Sequence, residues 1–265
     1  MANQLLFAFI ISVVIVGLAY WRNSLSRSGA VGALLVGFLT FGFGGWQWGV
    51  LLGIFFVSSS LLSHYKESEK KIASEKFDKG HRRDFGQVMA NGGLGAVVAL
   101  LSSLLVSPIW LLLFVGIMAT VTADTWATEL GTLSKRPPRL ITTGRVVEVG
   151  TSGGVSLLGT AVSASGGFLI GITAGLLTNQ SLWLFAVLGM GGGLAGSLFD
   201  SLLGATVQRV YYCEIRQRET EKKLNPLGEP NNPIRGWAWM NNDLVNLAAS
   251  LIGGVIAVLL FLLWG

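Results

Sequence analysis

The chain has 265 residues, of which 51% are hydrophobic and only 12% charged, with a mean hydropathy of +0.61. A soluble domain carries roughly twice that charged fraction, so a water-soluble globular protein is excluded. The net charge of +5 does not signal a nucleic-acid binder, because no polar stretch is long enough to fold and present a basic footprint. The single cysteine, Cys213, rules out an internal disulfide.

A spanning helix needs about 20 mostly apolar residues. In chain order the apolar runs predict spans over 3–20, 29–44, 46–63, 86–106, 109–130, 153–177, 181–205 and 243–264. The expectation is an all-α, polytopic membrane helix bundle of eight transmembrane helices forming a single unit over 1–265. Strands are not expected, since the runs are unbroken rather than alternating. The first run has no basic start, and Ala19, Tyr20 and Trp21 make no small-residue cleavage site, so it reads as a span rather than a signal peptide. The 36 glycines suit a membrane bundle, where small residues let helix backbones approach closely.

The connections alternate. Long polar loops follow the odd-numbered spans, at 21–28, 64–85, 131–152 and 206–242, and short turns follow spans two, four and six at Gly44-Gly45, Ser107-Pro108 and Asn179-Gln180. All 19 lysines and arginines fall in the long loops. The positive-inside rule puts those loops in the cytoplasm, and both termini opposite. Orientation needs only a few charges per loop, whereas two of these loops are long and packed with both signs. The segment 64–85 reads as a solvated amphipathic helix, while His64, His81 and Cys213 read as bystanders.

An acid in the middle of a spanning helix costs about 2.5–3.5 kcal/mol on insertion scales, so the acids in or at the ends of spans carry information. They are Asp124, Glu129, Asp200 and Asp243, all toward the basic side. Span four opens with Arg82, Arg83, Asp84, Gln87 and Asn91-Gly92-Gly93, span six with Gly150 to Gly154, and span eight with Asn241, Asn242 and Asn246. Carboxylates with amide oxygens suit Mg²⁺, which takes one or two carboxylates plus substrate phosphates. Helix N-termini at spans four and six offer N–H groups to a phosphate. Arg82, Arg83, Lys135, Arg136, Arg139 and Arg145 supply cations. Together these are the parts phosphoryl transfer needs. Taken singly, each has a plainer reading: Asp243 as an interfacial acid, Asn91-Gly92-Gly93 as a packing notch, and Gly150 to Gly154 as a glycine cluster without the lysine of a P-loop.

The runs Gln87-Val88-Met89-Ala90-Asn91-Gly92-Gly93, Thr122-Ala123-Asp124-Thr125-Trp126-Ala127-Thr128-Glu129-Leu130-Gly131, Gly150-Thr151-Ser152-Gly153-Gly154-Val155-Ser156 and Gly196-Ser197-Leu198-Phe199-Asp200-Ser201 occur in this order over almost the whole chain. They resemble the phytyl-phosphate kinase family, which includes the transmembrane protein 19 group and is distantly similar to the CTP-dependent phytol and dolichol kinases. The resemblance implies transfer of a phosphoryl group from a nucleoside triphosphate, with CTP the expected donor, to an isoprenyl monophosphate such as phytyl phosphate. The product of such an enzyme serves tocopherol and phylloquinone synthesis. It implies a site built on Asn91, Asp124, Glu129, Thr151, Ser152, Gly153, Gly154, Asp200 and the asparagines near 241–246.

In that scheme Asp124 and Asp200, with Glu129, hold Mg²⁺. Arg82, Arg136 and Arg139 neutralise phosphates, Ser152 to Gly154 cradle one, and Asn242 and Asn246 contribute amides. The partners are the lipid monophosphate, the nucleotide and membrane lipids, with no nucleic acid; a homodimer is left open. A bacterial-type inner membrane or a thylakoid is the expected location. A transporter and a cytidylyltransferase making a CDP-lipid are the rival readings.

Overall fold

The computed structural model describes residues 2–264 except 79 and 81; His81 therefore lies outside the described residues. Eight helical spans in it are long and apolar enough to cross a membrane. They are α1 (Ala2–Trp21), α2 (Arg27–Leu39) running on through a π-turn at Thr40–Gly44, α3 (Trp46–His64), α5 (Phe85–Val88) continued by a π-turn at Met89–Gly93 into α6 (Leu94–Leu104), α7 (Ile109–Gly131), α8 (Leu157–Thr178), α9 (Leu182–Thr206) and α10 (Asn242–Trp264). The three short turns lie where the glycine, proline and asparagine signals put them. Gly45 has φ +89°, a backbone open to glycine, and Asn179, at φ +52° and ψ +35°, takes the left-handed conformation that ends α8 cleanly.

α7 is the centre of the bundle. Every residue from Phe114 to Ala123 is buried, and the helix packs against α8, α9 and α10 and, less extensively, against α3 and α6. Lipid supplies no hydrophobic drive between helices, so close approach and hydrogen bonds hold this group. Thr120 Oγ1 donates to Gly116 O at 2.9 Å and Gly192 O at 3.2 Å, bridging α7 to α9. On α8 a Cβ at Gly167 would stand 2.5 Å from Gly189 O of α9, so backbone meets backbone there. α1, mostly unburied, lies at the periphery beside α2.

The long connections hold structure that the apolar pattern does not announce. Glu67–Ser74 forms the short helix α4. Arg139–Leu140 (β1) pairs antiparallel with Gly154–Val155 (β2). Val210–Cys213 (β3), Arg218–Thr220 (β4) and Asn232–Arg235 (β5) form a sheet in the order β4-β3-β5. Thus the expectation of a chain without strands is corrected in the loops alone, where polar segments of a few residues pair with each other. The sixth span also begins later than expected. Gly154 and Val155 are committed to β2, and Ser156, in extended backbone, caps α8 by accepting from Gly159 N at 3.1 Å.

Candidate functional site

At the end of the bundle that carries these loops, a cavity of about 390 Å³ opens between the helix ends, a size suited to a small ligand. Asp124 on α7 and Asp200 on α9 both line it. Ser197, one turn before Asp200, also lines it, and the two carboxylates interact electrostatically with each other and with Glu221. Asp200 Oδ2 is buried with no hydrogen-bond partner among the described residues. A buried acceptor in that state costs about 1–3 kcal/mol or more unless something absent here supplies the partner.

Glu221 was not legible in the sequence. It follows β4, whose end is tied down by Thr220 Oγ1 and Glu221 N, both donating to Lys76 O at 2.9 Å. Its carboxylate accepts from Ser152 Oγ and Gln208 Nε2, each at 2.8 Å. Burial pushes the carboxyl above its ordinary range, against the pull of those two hydrogen bonds. Only its position in a mixed-charge loop marked it, and that signal is shared by its neighbours.

Glu129 lies in the cavity wall but is already engaged. It accepts from Ser63 Oγ at 2.7 Å and forms an ion pair with Lys70 Nζ. Lys70 also donates to Leu62 O at 2.7 Å and Ser63 O at 3.2 Å. Far from being a purely solvated helix, α4 therefore turns one lysine into the bundle. Glu129 acts as an anchor for α4 rather than as a free acid.

The cations require a correction. Arg82, Arg136 and Arg139 are absent from the cavity lining. Arg139 Nη1 donates to Gly144 O at 2.8 Å in the β1 turn, Arg136 is exposed, and Arg82 reaches Leu25 O at 3.5 Å. The lining cations among the described residues are Lys70 and Arg83. Arg83 is 8% exposed, donates to Ser60 Oγ at 2.9 Å, and lies over the rings of Phe55 and Phe56.

The remaining expected residues do converge. Asn91, carried on the π-turn, and Asn242 and Asn246, on the first turns of α10, line the cavity with Thr151, Ser152, Gly153 and Gly154. The helix-start cradle expected of the last group is not what forms. Gly154 N donates to Thr151 O at 2.9 Å within a tight turn, and Gly153, at φ +85°, abuts α9, where a Cβ would stand 2.5 Å from Ala205 Cβ. Span four opens on Asp84 and Gln87 in a reciprocal capping box, so that helix start is satisfied from within. Asn241 Oδ1 accepts from Leu244 N at 3.1 Å and so stabilises the start of α10.

Among the described residues, seven acids line the cavity (Glu67, Asp78, Asp124, Glu129, Asp200, Glu221 and Asp243) against two cations. Such a surface repels phosphates unless a cation intervenes. No ready-made cage of three or more acidic, histidine or cysteine ligands occurs among the described residues. Asp200, with its buried and unpartnered Oδ2, and Asp124 are the carboxylates that could hold a cation needing only one or two of them, as Mg²⁺ does.

The family model described as integral membrane protein DUF92 matches residues 10–254. Protein PGR of Arabidopsis thaliana is 33% identical over 273 residues, covering 94% of this chain and 93% of its own length. An uncharacterised membrane protein of Methanocaldococcus jannaschii is 33% identical over 258 residues, covering 97% of this chain and 94% of its own. Protein VTE6, chloroplastic, also of Arabidopsis thaliana, is 27% identical over 264 residues, covering 98% of this chain and 70% of its own. No solved structure matches the chain. Matched by the family model over nearly all its spans, and by plant and archaeal relatives along nearly its whole length, the chain belongs to the DUF92 family of integral membrane proteins.

Proposed function

We propose that the chain is a membrane-embedded kinase that transfers a phosphoryl group from a nucleoside triphosphate, CTP by the family resemblance, to an isoprenyl monophosphate of the phytyl phosphate type. The observation that carries this reading is the meeting of Asp124, Asp200 and Glu221, from two spans and a loop, in one cavity with Asn91, Asn242 and Asn246. These are the groups that hold and orient phosphates through a hard cation.

The lipid's tail stays in the bilayer and its phosphate head rises to the basic edge, where nucleotide arrives from the aqueous side. An oxygen of the lipid phosphate attacks the γ-phosphorus of the nucleotide. The bond from that phosphorus to the β–γ bridging oxygen breaks, and the nucleoside diphosphate leaves. The acceptor phosphate is already ionised at neutral pH, so no protein base has to take a proton from it. Asp124 and Asp200 would hold Mg²⁺, whose charge would offset that of the phosphates. Arg83 and Lys70 contribute fixed positive charge at the cavity wall, and Asn91, Asn242, Asn246, Thr151 and Ser152 provide hydrogen bonds that orient the reactants. Positioning and charge neutralisation, rather than covalent chemistry, supply the rate.

Purified protein incubated with phytyl and geranylgeranyl monophosphates and each of the four nucleoside triphosphates tests this directly, with products identified by mass. Lipid diphosphate together with nucleoside diphosphate supports the proposal. A CDP-lipid with pyrophosphate makes the chain a cytidylyltransferase, and solute flux in proteoliposomes without nucleotide turnover makes it a carrier.

A further inference from the structure

A second, smaller cavity of about 70 Å³ lies between α1, α2, α3 and the α5–α6 span, lined by apolar groups that include Val36, Phe41, Leu52, Gly53 and Phe55. It shares Arg83, Gln87 and Asn91 with the large cavity. These three residues thus form a common wall, with carboxylates and amides on one side and hydrocarbon on the other. The backbone of Arg83 is pinned at this wall by hydrogen bonds with Ser24 O and Ser26 N, both at 3.0 Å. A buried guanidinium at the junction of a polar and an apolar chamber suits a ligand that is an anion at one end and a hydrocarbon at the other.

The glycines of the slot are not alike. A Cβ at Gly37 would stand 2.9 Å from Ser12 Oγ, and one at Gly92 would stand 2.7 Å from Val36. Close helix packing explains both. A Cβ at Gly53 would meet nothing within 4 Å. Packing therefore does not account for a glycine there, in the wall of the slot. Gly53 lies eleven residues before His64, the end of α3, or about 16 Å along the helix at 1.5 Å per residue. The slot thus runs from the edge of the membrane well into its hydrocarbon layer.

We infer that this slot holds the tail of a long single-chain prenyl monophosphate while Arg83 meets its phosphate, and that Gly53 sets how long a tail is accepted. The inference rests on the kinase reading for the identity of the headgroup.

The test compares Gly53→Leu with Gly17→Leu, whose site on α1 is likewise open but lies outside the slot. Specificity constants are measured for prenyl monophosphates of increasing length, from one to four isoprene units. In parallel, a four-unit prenyl monophosphate with a diazirine on its last unit is photo-crosslinked and the modified peptides are mapped by mass. Gly53→Leu is expected to lower kcat/KM for the four-unit substrate by roughly 10–100-fold, the range one misplaced branched group commands in an apolar pocket. The one-unit substrate is expected to stay within about twofold, which also certifies the variant's fold, and Gly17→Leu is expected to match the parent chain. Cross-links are expected in α2 and α3 and are lost in Gly53→Leu. An unchanged chain-length profile, or cross-links confined to other spans, overturns the slot. If the parent chain cross-links in α2 and α3 but transfers no phosphoryl group, the kinase reading falls and the slot stands; turnover with cross-links elsewhere gives the reverse.

Discussion

Replacing Arg83 with methionine separates charge from shape, because methionine fills the path of the arginine stem without its charge. Burial pulls the guanidinium down to about 10, well below its ordinary range, with Glu129 opposing. At about 1.4 kcal/mol per pH unit, keeping the charge inside the fold costs roughly 3 kcal/mol. The hydrogen bond to Ser60 Oγ at 2.9 Å returns about 1.5–3 kcal/mol as a charged pair. The ring contacts at 5.9 and 5.3 Å return about 0.5–2 kcal/mol. These terms nearly cancel, so Arg83→Met is expected to change stability by no more than about 1 kcal/mol, a shift of a few degrees in Tm. Binding of a lipid phosphate loses a charge-assisted hydrogen bond and weakens by about 10–100-fold. The depressed guanidinium also fixes the pH dependence: its burial cost is fully present below about pH 10 and is relieved only above it, so the stability difference stays flat from neutral to mildly alkaline pH. Thermal unfolding in detergent, followed by tryptophan fluorescence, and titration with a prenyl phosphate measure the two quantities. A fall of more than about 10 °C in Tm, or an unchanged affinity, refutes the assignment of Arg83 as a ligand-facing charge held at no net gain to the fold.

Asp124→Asn and Asp200→Asn are each expected to cut phosphoryl transfer by about 10³-fold or more at saturating Mg²⁺ while the protein still inserts and folds; near-normal turnover removes either residue from the site. For the pair of Lys70 and Glu129, Lys70→Met and Glu129→Gln each leave a partner charge partly buried. A double-mutant cycle on unfolding is expected to give a coupling of about 1–3 kcal/mol, and a coupling near zero refutes the anchoring of α4. Gly153→Ala asks for a side chain at φ +85° and 2.5 Å from Ala205 Cβ, so it is expected to lower stability by about 2 kcal/mol or more, read as a drop in Tm. Burial raises the Glu221 carboxyl above its ordinary 4.5. The fold therefore binds that proton more tightly than the unfolded chain, and stability declines as pH rises above about 4.5 toward the folded value. Glu221→Gln is expected to remove that decline, and parallel stability–pH curves for variant and parent speak against it.

The spans were legible because membrane helices must satisfy every backbone group internally, which leaves long unbroken apolar runs. Most of the predicted ends fall within two residues of the observed ones, as at 109–130 against Ile109–Gly131. The convergence of Asn91, Asp124, Asp200, Asn242 and Asn246 was legible too, since each sits near the same end of its helix. What the sequence hid was the work of short polar segments. β1 and β2 are two residues each, too brief to leave a periodic trace, yet they delay the start of α8 and turn Thr151–Gly154 into a packed turn. Glu221 reaches the acids only because a hairpin folds back over the helix ends. For the arginines, counting positive charges in a loop says which membrane face they share but not which of them turns inward. Arg83 does because its backbone is bridged to Leu25, whereas Arg136 and Arg139 stay on the outer side of the β1 turn.

The enclosure of α7 has a consequence for biosynthesis. Its neighbours α8, α9 and α10 all come later in the chain. When α7 leaves the ribosome, Asp124 therefore lacks the cavity that encloses it and Thr120 lacks the Gly192 carbonyl, and the helix is expected to wait beside the translocon until α9 joins it. The segments that complete the cavity are thus also the ones that release α7, with its buried acid, into lipid, so a chain halted before residue 206 would be held at the insertion machinery rather than dispersed in the membrane.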